Sequence, residues 1–119
     1  MKKILLAEDD KSMVGLLKIL LKMEGYIAIN LNEDEQDVIK LAREERPDLI
    51  LMDVHLGDQN GLDLIKDLRS QIGINKTKVI MTSGMDLKDD CEQAGADDFV
   101  LKPFMPEELL QKISDLLVK

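Results

Sequence analysis

The sequence of 119 residues contains no tryptophan and only 3% aromatic residues. Proteins that stack nucleic-acid bases need aromatic side chains, and proteins that follow the phosphate backbone need a basic face. This chain instead has 24 acidic and 16 basic residues, with a formal net charge of −8. We therefore expect no direct contact with nucleic acid. The charge favours divalent cations or basic protein surfaces as partners.

The chain also has a single cysteine, and it lacks the apolar run of about 18 residues that a membrane helix needs. Cys91 has no partner for an internal disulfide, and a small residue on a helix is its simplest interpretation. The apolar residues 4–7 are too few for a signal peptide before the acidic run begins at Glu8. We expect a cytoplasmic protein that makes no membrane contact and forms one domain over residues 1–119.

Short apolar runs alternate with amphipathic stretches along the chain. The runs predict strands at 4–7, 26–31, 48–53, 78–82 and 98–101. The amphipathic stretches predict helices at 13–24, between Asn32 and Pro47, at 62–69, at 86–94 and from Pro106 onward. Because strands and helices alternate with short loops, the sequence predicts an α/β fold with a parallel sheet between helices.

Helix ends are predicted from capping residues. Asp10 or Ser12 is expected to cap the first helix, and Asn32 the second. Asp10 is interpreted as a cap in preference to a metal ligand. The acidic stretch 33–37 is interpreted as a solvated face.

The most informative stretch is 47–63, PDLILMDVHLGDQNGLD, in which four apolar residues precede Asp53 and turn residues follow it. A continuous apolar run is typical of a central strand covered by helices on both faces. Asp53 is therefore expected at the carboxyl end of a buried strand, where open α/β sheets bind their ligands. From this stretch alone, a working carboxylate and a loop cap are both open.

Other polar residues also end predicted strands. Glu8 and Asp9 follow the first strand, Thr82 and Ser83 end the fourth, and Lys102 follows the fifth. Close carboxylates repel one another unless a cation lies among them, and Mg²⁺ prefers such oxygen ligands. A carboxylate can form an acyl phosphate, with the lysine and a hydroxyl binding phosphoryl oxygens. The pattern indicates phosphoryl transfer.

Four segments together resemble the receiver domain of bacterial two-component response regulators, including the chemotaxis member: ILLAEDD at 4–10, LILMDVHLGDQNG at 49–61, VIMTSG at 79–84 and AGADDFVLKPF at 94–104. The resemblance covers the whole chain. It implies a doubly wound, flavodoxin-like, five-stranded sheet with strand order 2-1-3-4-5. It also implies a cytoplasmic phosphoprotein that is not an enzyme but assists its own phosphorylation and dephosphorylation.

The resemblance implies roles for individual residues. Asp53 is similar to the phosphoacceptor, Asp9 to the direct metal ligand and Glu8 to its neighbour. His55 is expected to offer its backbone carbonyl to Mg²⁺, or to Mn²⁺ as an alternative, with its side chain solvated. Lys102 resembles the lysine that pairs with the phosphoryl group. The Lys102–Pro103 bond resembles the family's cis peptide.

Two further positions resemble the switch residues of the family, the hydroxyl residue Ser83 and the aromatic residue Phe99. The implied phosphoryl donor is a sensor histidine kinase or a phosphotransfer protein. The implied response is a change in the face formed by the fourth helix, fifth strand and last helix, read by a downstream protein, an output domain or a phosphorylation-dependent homodimer.

The sequence departs from the family pattern at three places. Gly57 replaces a common proline, so the loop after Asp53 is expected to be more mobile. Gly84 replaces an alanine, which is expected to widen access for water and change the dephosphorylation rate. Phe99 lacks the hydroxyl of a tyrosine. Two alternative functions remain at this point: a pseudo-receiver that only binds partners, and an aspartyl-phosphate hydrolase, which is disfavoured because His55 stands where its second acid would be.

Overall fold

The computed structural model describes residues 1–32 and 36–118, and within these residues helices and strands alternate. The strands of the main sheet are β1 Lys3–Ala7, β2 Ile27–Asn30, β3 Leu49–Asp53, β4 Lys78–Ser83 and β5 Asp98–Leu101. The helices are α1 Lys11–Met23, α2 Val38–Glu45, α3 Gly61–Arg69, α4 Lys88–Ala94 and α5 Pro106–Leu117.

The described part of the chain forms a five-stranded sheet in the order β2-β1-β3-β4-β5. Every neighbouring pair in it is parallel. The predicted doubly wound fold and its 2-1-3-4-5 order are therefore confirmed. Because the strands are parallel, all their carboxyl ends lie along one edge of the sheet.

Two apolar cores cover the faces of the sheet. On one face, α1 and α5 pack on alternate residues of the strands, among them Leu6, Leu51 and Val100. On the other face, α2, α3 and α4 pack on the residues between, among them Met52, Met81 and Phe99. β3 is buried along its whole length, which explains its continuous apolar run.

The helix caps confirm one prediction and correct another. Asp10 caps α1 by accepting hydrogen bonds from the amides of Ser12 and Met13. The prediction that Asn32 caps the second helix is wrong: α2 begins at Val38 and is capped by Asp37. A cap directly precedes the first apolar residue of its helix, and Asp37 meets that condition. Of the stretch 33–37, residues 33–35 lie outside the described residues.

The loop after β3 contains a small hairpin that the sequence did not predict. His55–Leu56 pairs antiparallel with Gln59–Asn60 across Gly57 and Asp58. Strands of this length carry no readable alternation. Gly57 takes a φ of 59° in the turn, and this left-handed backbone favours glycine. The hairpin begins two residues after the end of β3, and its turn contacts Asp9 after β1 through the Gly57 amide.

Two expectations from composition can be compared with the structure. Cys91 is fully buried on α4, and this burial, with Asp90 and Glu92 nearby, raises the pKa of its thiol to about 11. It is therefore an inert packing residue at neutral pH. Among the described residues, no helix has the length and apolar character needed to cross a bilayer.

Candidate functional site

The site lies at the carboxyl edge of the sheet, on the face covered by α1 and α5. Asp53 ends β3, while Glu8 and Lys102 directly follow β1 and β5. Strand alternation places all three on the same face as Leu6 and Leu51, two residues before Glu8 and Asp53. Residues far apart in the sequence therefore meet at one place, as the sequence predicted.

Lys102 joins two of the carboxylates. Its Nζ atom donates to Asp53 Oδ2 at 2.7 Å and to Glu8 Oε1 at 2.9 Å. Burial alone would lower the pKa of Lys102, but the hydrogen bonds and charges of Asp53 and Glu8 outweigh it and raise the pKa. Lys102 therefore stays a cation at any physiological pH.

Glu8, Asp9 and Asp53, here called the acidic cluster, converge around one point. One carboxylate oxygen from each lies within 4.8 Å of the others. Glu8 is 6% and Asp53 8% exposed, whereas Asp9 is exposed. In the part of the chain that the structure describes, both ion pairs given for this cluster come from Lys102, so three carboxylates meet one ammonium group and negative charge is in excess.

A backbone amide fixes one oxygen of each of the three carboxylates. The amide of Asp10 donates to Glu8 Oε2 at 3.0 Å, and that of Gly57 to Asp9 Oδ2 at 2.8 Å. The amide of His55 donates to Asp53 Oδ1 at 3.0 Å, and His55 itself is exposed. A proline at position 57 could not make this contact, so the departure at Gly57 supplies a donor to the site.

The donor set fits a hard divalent cation. Carboxylate oxygens at this spacing, partly exposed at one side, are the ligands that Mg²⁺ combines with water and phosphate oxygens. A cation there would offset the charge excess. Glu8, Asp9 and Asp53 are the side chains that could hold it.

The two expected switch residues lie on the opposite face of the sheet. Ser83 follows Met81 by two residues in β4, and Phe99 pairs with Met81 across the β4–β5 register. Phe99 is 6% exposed and packs in the core formed with α4. Within the described residues, Ser83 Oγ is hydrogen-bonded to the Met85 amide at 3.1 Å and to no residue of the acidic cluster.

Sequence reasoning missed the part that Gly61 plays in the site. A Cβ atom at Gly61 would lie 2.6 Å from the backbone oxygen of Asp53 and 2.8 Å from Val54 Cα. Only glycine therefore lets α3 begin so close to the end of β3. The sequence shows only a glycine directly after turn residues. Such a glycine indicates that two backbone segments approach closely only once the second segment is known. The Lys102–Pro103 peptide is cis, as expected.

Comparison with known proteins agrees with this geometry. Residues 4–114 match the family described as "Response regulator receiver domain". The DNA-binding response regulator MtrA of Mycolicibacterium smegmatis is 36% identical over 113 residues, which are 93% of this chain and 48% of MtrA. The chain thus spans about half the length of the curated relatives it matches.

Solved structures of receivers have the same fold. The chemotaxis response regulator CheY4 of Vibrio cholerae superposes with a TM-score of 0.87 at 26% identity, covering 98% of this chain and 99% of that one. The receiver domain of the sensor histidine kinase PA1611 from Pseudomonas aeruginosa superposes with a TM-score of 0.86 at 26% identity, covering 99% and 98%. That structure holds a magnesium ion coordinated in its active site cleft.

Proposed function

The chain belongs to the response regulator receiver domain family of two-component signalling, and on that premise we propose that Asp53 accepts a phosphoryl group in a Mg²⁺-dependent reaction. The observation that carries the proposal is the geometry of Asp53. Its two oxygens are held by Lys102 and by the His55 amide, beside two further carboxylates. This arrangement combines a nucleophile, a fixed cation and a site for a metal ion.

Each residue of the site has its own role in phosphoryl transfer. A carboxylate oxygen of Asp53 attacks phosphorus, the bond from phosphorus to the donor nitrogen breaks, and its electron pair stays on the leaving imidazole. Lys102 binds a phosphoryl oxygen, since its ammonium already lies 2.7 Å from Asp53. Glu8 and Asp9, with the backbone carbonyl of His55, would hold Mg²⁺ or Mn²⁺, which neutralises phosphoryl charge when bound. The donor is a phosphohistidine of a sensor kinase or phosphotransfer protein.

Phosphorylation is proposed to act on α4, β5 and α5 through Ser83 and Phe99. Phe99 packs in the same core as Cys91 and Ala94 of α4, so its movement would change how that helix is seated. A shift in this surface would alter binding of a downstream protein, an output domain or a second copy of the chain. In this role the domain is a signalling element that assists its own phosphorylation and dephosphorylation.

Mass measurement of the intact protein tests the proposal. The protein is incubated with acetyl phosphate and Mg²⁺, and one phosphoryl adduct is expected. Asp53→Asn and metal chelation should abolish the adduct, because each removes a part that the reaction requires. The matched control is Asp58→Asn, which changes an exposed acid in the same loop and should leave the adduct intact.

Two results would reject this function. An adduct that persists in Asp53→Asn would place the chemistry elsewhere. No adduct in a protein that still binds Mg²⁺ would favour a pseudo-receiver. The DNA-binding activity in the relative's name belongs to a protein of which this chain spans 48%. That this segment itself does not contact nucleic acid stays a prediction.

A further inference from the structure

Thr82, next to the expected switch residue, carries a hydroxyl that has no role so far. It is 2% exposed, and its Oγ1 atom is buried with no hydrogen-bond partner among the described residues. In the β3–β4 register Thr82 is the direct partner of Asp53. Paired residues of parallel strands point to the same face. The Thr82 hydroxyl therefore lies on the face of the acidic cluster, whereas Ser83 lies on the other.

The path of Lys102 brings it to Thr82. Lys102 follows β5, yet its Nζ atom reaches Asp53 at the end of β3 and Glu8 after β1. β4 lies between β5 and β3 in the sheet, so the lysine side chain crosses β4. Thr82 and Lys102 share a face by alternation, since Thr82 pairs with Val100 two residues before Lys102. The lysine therefore crosses β4 on the face of the sheet that carries Thr82.

A buried hydroxyl without a partner is costly, and valine would fill the same space without that cost. Such groups in folded proteins call for an explanation, and proximity to a reaction site is one. An ammonium group has three N–H donors, and two of those on Lys102 are used by Asp53 and Glu8. The third donor and the Thr82 oxygen are complementary.

We propose that Thr82 is a positioning residue for Lys102 during phosphoryl transfer, an inference that rests on the proposed function of Asp53. As Asp53 bonds to phosphorus, its carboxylate loses its negative charge and the electron pair of the broken bond departs with the leaving group. The oxygens of the transferred phosphoryl group then become the anions nearest to the Lys102 ammonium, which follows them. The shift turns one N–H of Lys102 towards Thr82 Oγ1, which accepts it. The hydroxyl thereby gains the partner it lacks in the unphosphorylated protein and holds the ammonium on the phosphoryl group.

Two pairs of variants separate the hydroxyl from side-chain size. Wild-type threonine and Thr82→Val differ only by hydroxyl against methyl, and Thr82→Ser and Thr82→Ala differ only by hydroxyl against hydrogen. The rate of adduct formation with acetyl phosphate and Mg²⁺ is measured by mass for all four. Loss of the hydroxyl should slow the reaction about tenfold in each pair, the effect of one hydrogen bond to a charged group.

Thermal unfolding of the unphosphorylated proteins provides the structural control. Thr82→Val should be at least as stable as wild type, because it removes an unpartnered polar atom. Equal rates in the four proteins would overturn the role of Thr82 while leaving that of Asp53 in place. Rates that follow side-chain size and not the hydroxyl would overturn it as well. No adduct in the wild type would overturn both proposals.

Discussion

Among the described residues, two ionic clusters lie at opposite edges of the same sheet. At the carboxyl edge, the acidic cluster faces Lys102. At the amino edge, Arg69 and Asp97 form what is here called the arginine cluster. Arg69 donates to Asp97 Oδ2 at 3.0 Å and to the backbone oxygens of Gly95, Asn75 and Thr77 at 2.9, 3.0 and 2.6 Å.

The clusters differ in how far their charges are balanced. In the arginine cluster one cation meets one anion, and Asp97 Oδ2 also accepts the amide of Val79 at 2.8 Å. Two of the three carboxylates in the acidic cluster are more buried, with Glu8 and Asp53 side chains 4% and 10% exposed, yet the cluster holds more negative than positive charge. Buried charge that is left unbalanced costs stability. The difference indicates that the arginine cluster serves the fold and the acidic cluster serves a ligand.

The largest expected effect on stability comes from the arginine cluster. Arg69→Ala should lower the free energy of unfolding by about 3 kcal/mol, because it removes the cationic partner of Asp97 and the arginine donor of several loop carbonyls. Urea unfolding measures the loss. The rate of adduct formation at Asp53 should stay at the wild-type value under conditions where the variant is folded.

Arg69→Lys is the matched control, since it keeps the charge but not the planar set of donors. It should lose part of the stability that Arg69→Ala loses. If Arg69→Ala unfolds like the wild type, the arginine cluster does not stabilise the fold. If Arg69→Ala is folded but is phosphorylated more slowly, the arginine cluster contributes to the reaction at the acidic cluster.

Alkali should weaken one cluster and leave the other intact. The carboxylates raise the pKa of Lys102 in the folded protein, so the unfolded chain loses this proton first as pH rises. The stability that the ion pairs of Lys102 contribute is therefore fully present below the pKa of lysine in the unfolded chain, about 10.4. It is lost as the pH rises through the higher pKa of Lys102 in the folded protein. Arginine keeps its charge throughout this range. Lys102→Arg should therefore abolish the part of the decrease in stability at high pH that comes from deprotonation of Lys102.

This comparison needs a background without Cys91. Burial raises the pKa of that thiol to about 11, so the unfolded chain also releases this proton first, and stability falls between pH 9 and 11. The free energy of unfolding is therefore measured against pH in Cys91→Ala, with and without Lys102→Arg. If the free energy of unfolding falls equally steeply with pH in the two proteins, the ion pairs of Lys102 do not contribute to stability as described.

A smaller effect distinguishes a glycine that contacts the site from one that does not. Gly57 and Gly25 both have left-handed backbone, with φ of 59° and 87°. Alanine at either position should cost about 1 kcal/mol for the same conformational reason. Alanine keeps the amide that donates to Asp9, but the strain in its left-handed turn displaces that amide, so Gly57→Ala alone should also change the affinity for Mg²⁺. Calorimetric titration measures the affinity for Mg²⁺. Equal affinities in Gly57→Ala and Gly25→Ala would show that the loop containing Gly57 does not influence the metal site.

The sequence was sufficient for most of the sheet and for the acidic cluster, because both follow from local patterns. An apolar run ends at Asp53, and acids follow the run 4–7, so parallel strands must bring them to one edge. The arginine cluster has no such pattern. Arg69 ends an amphipathic helix, and its partners are loop carbonyls whose positions depend on the completed fold.

Thr82 and Gly61 could not be interpreted from the sequence for a similar reason. The importance of Gly61 depends on the Asp53 backbone that lies against it, and that of Thr82 on the burial of its hydroxyl without a hydrogen-bond partner among the described residues. The cap of α2 was a different case. Asn32 and Asp37 are both good caps, and the correct choice was the one nearest the first apolar residue, Val38.

The most direct test of the account is the free energy of unfolding with and without Mg²⁺, in wild type and in Asp9→Asn. Without metal, Asp9→Asn should be more stable by about 0.5 kcal/mol, because it removes a repelling charge while its amide oxygen can still accept from Gly57. Mg²⁺ should stabilise the wild type and have much less effect on Asp9→Asn. If Mg²⁺ does not change the stability of the wild type, or if Asp9→Asn destabilises the metal-free protein, the charge excess does not serve a cation and the account is contradicted.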